Sequence, residues 1–443
     1  ADSIPVLFIS STTASYSLGK GWGCTHEVTD LTAVTRPLTA FSKTATSPSD
    51  LEELLAEAFS FFSSANRPRP IHIAVPYDTL SEIVNAPLKA RTKNISQSID
   101  SNYAVAVAKL LRQAKSPLIL VGGGAKMASK EITQIAEILD APVISTNAGK
   151  GVVSELHSLC IGGVISRSNT HEFLSKCDVI LAVGTEISEA DSYVERIPIK
   201  GKLIRIDIDP GKQSDLYPAD INVVEDAVLA SKNIIAALGS NQSIRNTQDH
   251  VSRIRQSLYK NLSKSEFQHV SLLAQLKACL PSDAVIVADI CQLSYTGAFA
   301  YTVELPGKWH CPNGYCALGC GLPVAIGGTL SIKDIPVVVL VGDGGFMFTA
   351  QELITASELN LSLPIIVWNN HGLKQIKDDM EMSEIPAIGV DGNNPDFLLL
   401  AQACGCDSIQ PKTKNEFSLA VTQALIRENP TVIEVIEGSP WLL

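Results

Sequence analysis

Short runs of consecutive apolar residues alternate along the chain with segments in which apolar residues return every third or fourth position. That alternation predicts strands and helices taking turns in parallel α/β layers. Residues 4–10 read as a buried strand. Residues 47–64 read as a helix, with Ser47 as N-cap, Pro48 at the first helical position, and Leu51, Leu54, Leu55, Ala58, Phe59 and Phe62 at helical spacing. A strand follows at 71–75, and the polar, Pro-containing stretch 87–94 reads as a linker. A second block, about 101–238, has strands at 118–121, 142–145, 178–183 and 203–208, with an amphipathic segment at 132–139. The charged, Asn- and Ser-rich stretch 240–261 reads as a helical connector. A third block, from about 266 to 443, has strands at 284–288, 337–341, 364–368 and 431–436. No solenoid-period repeat or low-complexity tract interrupts the pattern.

The pattern predicts an α/β protein of three Rossmann-like, doubly wound parallel-sheet domains over residues 1–90, 100–238 and 262–443. The length of 443 residues fits about three such domains. The first block is short for an α/β domain and opens directly on a core-type strand, so the expectation is a truncated first domain. With 45% hydrophobic and 18% charged residues, buried cores are expected throughout.

The net charge of −11, without basic runs or interleaved aromatics, argues against a nucleic-acid partner and against an anionic membrane surface. No stretch approaches the ~20 apolar residues of a membrane span, and residues 1–5 do not resemble a signal peptide. The ten cysteines form no CxxC pair, and Cys311, Cys316, Cys320, Cys404 and Cys406 lack zinc-ligand spacing. Reduced thiols in a cytoplasmic protein are the expectation.

The chemistry concentrates at Gly342-Asp343-Gly344-Gly345-Phe346, which follows an apolar strand and precedes a helix, and at Asn369-Asn370-His371-Gly372, which ends the next strand. Glycines after a strand let the backbone approach a ligand closely, and open α/β sheets place ligands at the carboxyl ends of their strands. Asp343 and Asn370, at the ends of successive strands, can converge on one point. A carboxylate, an amide oxygen and a carbonyl suit Mg²⁺ with phosphate oxygens completing its shell. Taken singly, Asp343-Gly344 is a turn dipeptide and Asn369-Asn370 a polar loop; the strand–turn–helix–strand context joins them.

This pair of motifs resembles the diphosphate-binding motif of the thiamine-diphosphate enzymes, specifically the acetolactate synthase and pyruvate decarboxylase superfamily. The resemblance implies that the three blocks are the C-terminal half of a pyrimidine-binding domain, a central Rossmann-like domain and a diphosphate-binding domain. It implies thiamine diphosphate and Mg²⁺ as cofactors, with Asp343, Asn370 and the Gly372 carbonyl as metal ligands. The implied cofactor-binding set is Asp289, Cys291, Cys316, Leu318, Gly342, Gly344, Gly345, Asn370, Gly372 and Leu373. Leu318, in Gly314-Tyr-Cys-Ala-Leu-Gly319, matches the apolar residue that props the cofactor into its bent shape; by itself it reads equally as core filler. The implied reaction is loss of CO₂ from a 2-oxo acid, the cofactor taking up the electrons. The implied assembly is a homodimer or homotetramer, because family sites form between chains.

Several stretches depart from that family. Its activating glutamate lies in the early half of the pyrimidine domain, to which nothing here corresponds. Glu27 falls after that region, so the catalytic residue is unknown. Gly122-Gly123-Gly124 after a strand invites a dinucleotide reading, but it is not GxGxxG. Acidic residues in 184–191 stand where FAD-bearing synthases carry arginines, so FAD is not expected. Gln375 is followed by Ile376 rather than the Trp of acetolactate synthases. The stretches 369–377, 386–391 and 18–24 instead resemble 5-guanidino-2-oxopentanoate decarboxylases, with Asp378, Asp379 and Glu381 as acids near the mouth of the site; a solvated helix face is the plainer reading of those three. His371 can touch a phosphate or face solvent, and His72 reads as structural. Three functions stay open: a 2-oxo acid decarboxylase, an acetolactate-synthase-type carboligase, and a cofactor-binding protein without turnover.

Overall fold

A computed structural model describes residues 2–63, 67–84, 102–213 and 215–443; the linker expected at 87–94 lies outside them. The chain divides into two compact units, residues 1–99 and 100–443.

The first unit carries a parallel three-stranded sheet of order β1-β3-β2, formed by β1 (Leu7–Thr12), β2 (Ser42–Thr44) and β3 (Ile71–Pro76). The helix Pro48–Ser63 starts where the sequence places it, with Ser47 Oγ accepting from the Asp50 amide at 3.1 Å. It buries Ala58 against Ile71, Ile73 and Val75. The strand expected at 4–10 is a correction: it runs three residues later and is not buried, with Ile4, Val6, Phe8 and Ile9 all largely exposed. β1 pairs with β3 alone, so it is an edge strand, and no described element covers its outer face. His72 is fully buried and held by hydroxyls at both ring nitrogens, Ser10 on Nε2 and Thr35 and Ser42 on Nδ1, all at 2.8 Å. It is a satisfied core histidine. Glu27 is partly buried and accepts from the amides of Gly21, Gly23 and Cys24, so it organises its own loop.

The second unit contains two six-stranded sheets, parallel throughout. The first combines β4 (Pro117–Val121), β5 (Val143–Ser145), β6 (Cys160–Gly162), β7 (Val179–Val183), β8 (Lys202–Asp207) and β9 (Ile221–Val224) in the order β6-β5-β4-β7-β8-β9. The second combines β10 (Val285–Ala288), β11 (Trp309–His310), β12 (Val337–Gly342), β13 (Pro364–Asn369), β14 (Asp407–Ile409) and β15 (Thr431–Ile436) in the order β11-β10-β12-β13-β15-β14. Helices cover both faces, so the central strands are apolar on both sides: every residue of β4, β7, β12 and β13 is buried. Each such Val, Ile or Leu contributes about 1.5–3 kcal/mol of burial free energy.

Each sheet has a point where strand order reverses, the place where such sheets open a crevice at their carboxyl ends. In the first sheet it lies between β4 and β7, and the chain itself fills it. A Cβ on Gly122 would sit 2.3 Å from the Gly184 carbonyl oxygen, and the Gly124 amide donates to that oxygen at 3.0 Å. The Gly122-Gly123-Gly124 run thus serves the packing of two turns. In the second sheet the reversal lies between β10 and β12, beside the Gly342-Asp343 motif.

Candidate functional site

Asp343 begins the short helix after β12 and is 1% exposed. Its Oδ2 accepts from the Gly372 amide at 2.8 Å and from Asn394 Nδ2 at 2.6 Å. Those two donors occupy one carboxylate oxygen and leave Oδ1 for another partner. The Asn370 side-chain oxygen lies 3.1 Å from Asp343 Oδ1 and 3.1 Å from the Gly372 carbonyl oxygen. Three oxygens so spaced, with no hydrogen between them, repel unless a cation lies among them. A cation with bonds of about 2.1 Å in octahedral geometry sets neighbouring ligand oxygens about 3.0 Å apart. Turned over, the Asn370 amide would donate to both oxygens instead. The cluster is therefore hydrogen-bonded without an ion and an oxygen cage with one. With the oxygen turned inward the Asn370 nitrogen has only Gln292 Oε1 at 3.5 Å, so without an ion the turned-over amide makes the better bonds. The donor set suits a hard cation; no group of three His, Cys, Asp or Glu able to hold a metal occurs among the described residues.

The loop bearing these groups is fixed from several sides. Gly372 has φ +147°, and a Cβ there would lie 2.3 Å from the Val390 carbonyl oxygen, so only glycine fits. The Leu373 amide donates to that carbonyl at 2.8 Å. Asn369 Oδ1 accepts from the His371 amide and Asn394 Nδ2, and Asn369 Nδ2 donates to the buried Glu434 at 2.7 Å. Asn394, Gln292 and Glu434 escape sequence reasoning because each arrives from a separate segment with no motif of its own. His371 has φ +64° and lies exposed.

Of the other residues expected to bind the cofactor, Asp289 and the loop it holds lie at the neighbouring strand end. Asp289, at the end of β10, is fully buried and accepts from the amides of Ile290 (2.8 Å), Gly319 (3.1 Å) and Gly321 (2.6 Å). Burial pushes its carboxyl above the usual range. Its contacts tie the 311–320 loop, which carries half-buried Leu318 and exposed Cys316, to the sheet end. Thr349 Oγ1 donates to the Gly319 carbonyl at 2.7 Å and closes the same loop. Cys291 lies against Ser294 Oγ at 3.2 Å, and burial pushes its thiol up to about 11, which disfavours a reactive thiolate. A Cβ would lie 2.9 Å from Cys291 Cβ at Gly342, 2.7 Å from Leu373 Cδ2 at Gly344 and 2.8 Å from Asp289 Oδ1 at Gly345, so these three glycines let the chain's own groups close in.

Beside this centre opens a cavity of about 630 Å³, lined by Arg167 and Tyr193 from the first sheet's side and by Gln292, Tyr295, Lys374 and Asp378 from the second. Gln292 joins cavity and centre: it holds Asn370, and its Nε2 donates to Asp378 at 2.9 Å.

Two family models match the chain: the thiamine pyrophosphate enzyme central domain over residues 105–234, and the C-terminal TPP-binding domain over residues 289–435. The chain is 40% identical over 441 residues to the probable 2-ketoarginine decarboxylase AruI of Pseudomonas aeruginosa, covering 98% of this chain and 78% of that protein. It is 25% identical over 469 residues to a probable acetolactate synthase large subunit of Methanocaldococcus jannaschii, covering 98% and 77%. It is 26% identical over 466 residues to the acetolactate synthase isozyme 3 large subunit of Escherichia coli, covering 99% and 80%.

Proposed function

The chain belongs to the thiamine pyrophosphate enzyme family, and from that premise we propose that it binds thiamine diphosphate with Mg²⁺ at the carboxyl end of the β10–β15 sheet and decarboxylates 5-guanidino-2-oxopentanoate. The observation that carries the cation is the convergence of Asp343 Oδ1, the Asn370 side-chain oxygen and the Gly372 carbonyl oxygen. The observation that favours this substrate over pyruvate is the 40% identity to a probable 2-ketoarginine decarboxylase, against 25–26% to two acetolactate synthase large subunits.

Bound thiamine diphosphate supplies an electron sink for the departing CO₂. The protein's part is placement. Gly372 and Asn394 satisfy one Asp343 oxygen and leave the other free for an ion, and Asn370 would turn its oxygen to the same ion. Asp289 fixes the 311–320 loop, and with it Leu318 as the apolar support of the cofactor. Apolar side chains at Tyr315, Phe348 and Ile354 stand exposed near this region and support a homo-oligomer, in which a second chain covers them.

The product tests the reaction. Incubated with thiamine diphosphate, Mg²⁺ and 5-guanidino-2-oxopentanoate, the protein releases CO₂ and the corresponding aldehyde. Accumulation of an acetohydroxy acid from pyruvate, with pyruvate preferred, would replace this reading with a carboligase.

A further inference from the structure

The cavity beside the proposed cation site contains one acid, Glu437, that forms no ion pair among the described residues, although Lys374 of the same cavity lies close enough to feel its charge. We propose that Glu437 is the specificity-determining carboxylate that receives the cationic tail of the substrate. The inference rests on the decarboxylation reading above for the identity of the ligand.

Glu437 directly follows β15, and its amide donates to the Asn369 carbonyl at 2.9 Å, so its backbone is tied to the strand end that carries the Asn369-Asn370 pair. Its Oε1 accepts from Ser265 Oγ at 2.7 Å. Its Oε2 is shut off from solvent and has no partner among the described residues. The cavity's other acids are committed. Glu266 pairs with Arg167 at 2.7 Å, and Asp378 pairs with Lys374 at 2.9 Å while also accepting from Gln292. Asp379, offered by the sequence as a guanidinium partner, accepts from Gln375 at 3.0 Å and lies exposed, as does Glu381. An acid already engaged in an ion pair discriminates weakly between charged and neutral ligands, whereas a carboxylate with one sheltered, unbonded oxygen and no ion pair discriminates more strongly.

A second orphaned group lines the same cavity. Gln268 is 1% exposed and lines the cavity; its Oε1 accepts from the Gly438 amide at 3.0 Å, and its Nε2 has no partner among the described residues. A guanidinium has donors only, so it completes Glu437 Oε2, while the Gln268 nitrogen is left for a water or a carbonyl oxygen; a hydrocarbon tail would leave both unmet. The wall already accepts a guanidinium, since Arg167 lies 4.5 Å over the Phe299 ring. The cavity also begins at Gln292, which touches Asn370, so a ligand tail here is one side chain away from the cation centre.

The test compares kcat/KM for 5-guanidino-2-oxopentanoate and for uncharged 2-oxohexanoate in wild type, Glu437→Gln and Glu437→Asp. Wild type should prefer the cationic substrate. Glu437→Gln should lower the cationic-to-neutral ratio at least about thirtyfold, chiefly through KM, and Glu437→Asp should restore part of it. A merely structural role would lower both substrates alike and leave the ratio unmoved. A wild type that prefers the cation together with a Glu437→Gln variant that keeps the preference would overturn the role of Glu437 and leave the substrate reading standing. A wild type without any preference would overturn the substrate reading itself, and this inference with it.

Discussion

A single carboxylate can serve two partners when its oxygens are separately supplied, and Asp343 does so: one oxygen is satisfied by the protein and the other lies 3.1 Å from the Asn370 side-chain oxygen. Polar groups in this neighbourhood are held by short bonds from distant segments, and burial alters their protonation. His269, 1% exposed, bonds to Thr296 Oγ1 at 2.9 Å and stands edge-on to Trp368. Burial pushes its imidazole down to about 4 from an ordinary 6.5. The folded protein therefore keeps His269 neutral where the unfolded chain binds a proton, and stability contributed by this residue is lost as pH falls from 6.5 towards 4. The full effect is about 3 kcal/mol. The thermal midpoint of wild type should fall over that window, and His269→Gln should fall less steeply. Equal slopes would show that other groups carry the acid sensitivity.

At the scale of elements, the 311–320 loop owes its position to Asp289, which sequence reasoning places in the cofactor set and the structure joins to three backbone amides. Asp289→Ala would strip the Gly319 and Gly321 amides of their acceptors, at roughly 1–3 kcal/mol for each buried group left unmet. The expected result is faster proteolytic cleavage within 311–320 and weaker cofactor binding; unchanged cleavage would show that Thr349 alone holds the loop. The interior strands were legible beforehand because strands covered on both faces must be continuously apolar, as β4, β7, β12 and β13 are. Four edge strands, β6, β9, β11 and β14, were not. They run only two to four residues, and such short pieces form because a neighbouring strand offers hydrogen bonds. The strand expected at 4–10 was apolar enough to look buried, yet its partners determine burial and it has one only. The Asp343–Asn370 pairing was readable because both residues end adjacent strands; Asn394, Glu434 and Glu437 become neighbours only through the fold.

At the scale of the whole molecule, the two six-stranded sheets of the second unit are joined through a buried ion pair. Lys150, 1% exposed, pairs with Glu155 at 2.8 Å and donates to the Ala298 carbonyl, while Glu155 accepts from the Val303 amide at 2.7 Å. Glu155→Ala would leave the Lys150 charge buried and unanswered, at about 3–5 kcal/mol. It should lower the thermal midpoint markedly, and the double variant with Lys150→Met should recover part of the loss; no recovery would contradict the pairing as the cause. The proposed cation site lies on the second of these sheets, at the ends of β12 and β13. Its most direct test is calorimetric or fluorescence melting of wild type and Asp343→Ala with thiamine diphosphate, with and without Mg²⁺. Cofactor at a hundred times its Kd adds about 2.7 kcal/mol to stability. Wild type should show a rise in melting temperature that requires both ligands, and Asp343→Ala should show none. Equal rises in the two proteins, or a wild-type rise indifferent to Mg²⁺, would contradict a cation held by Asp343, Asn370 and Gly372.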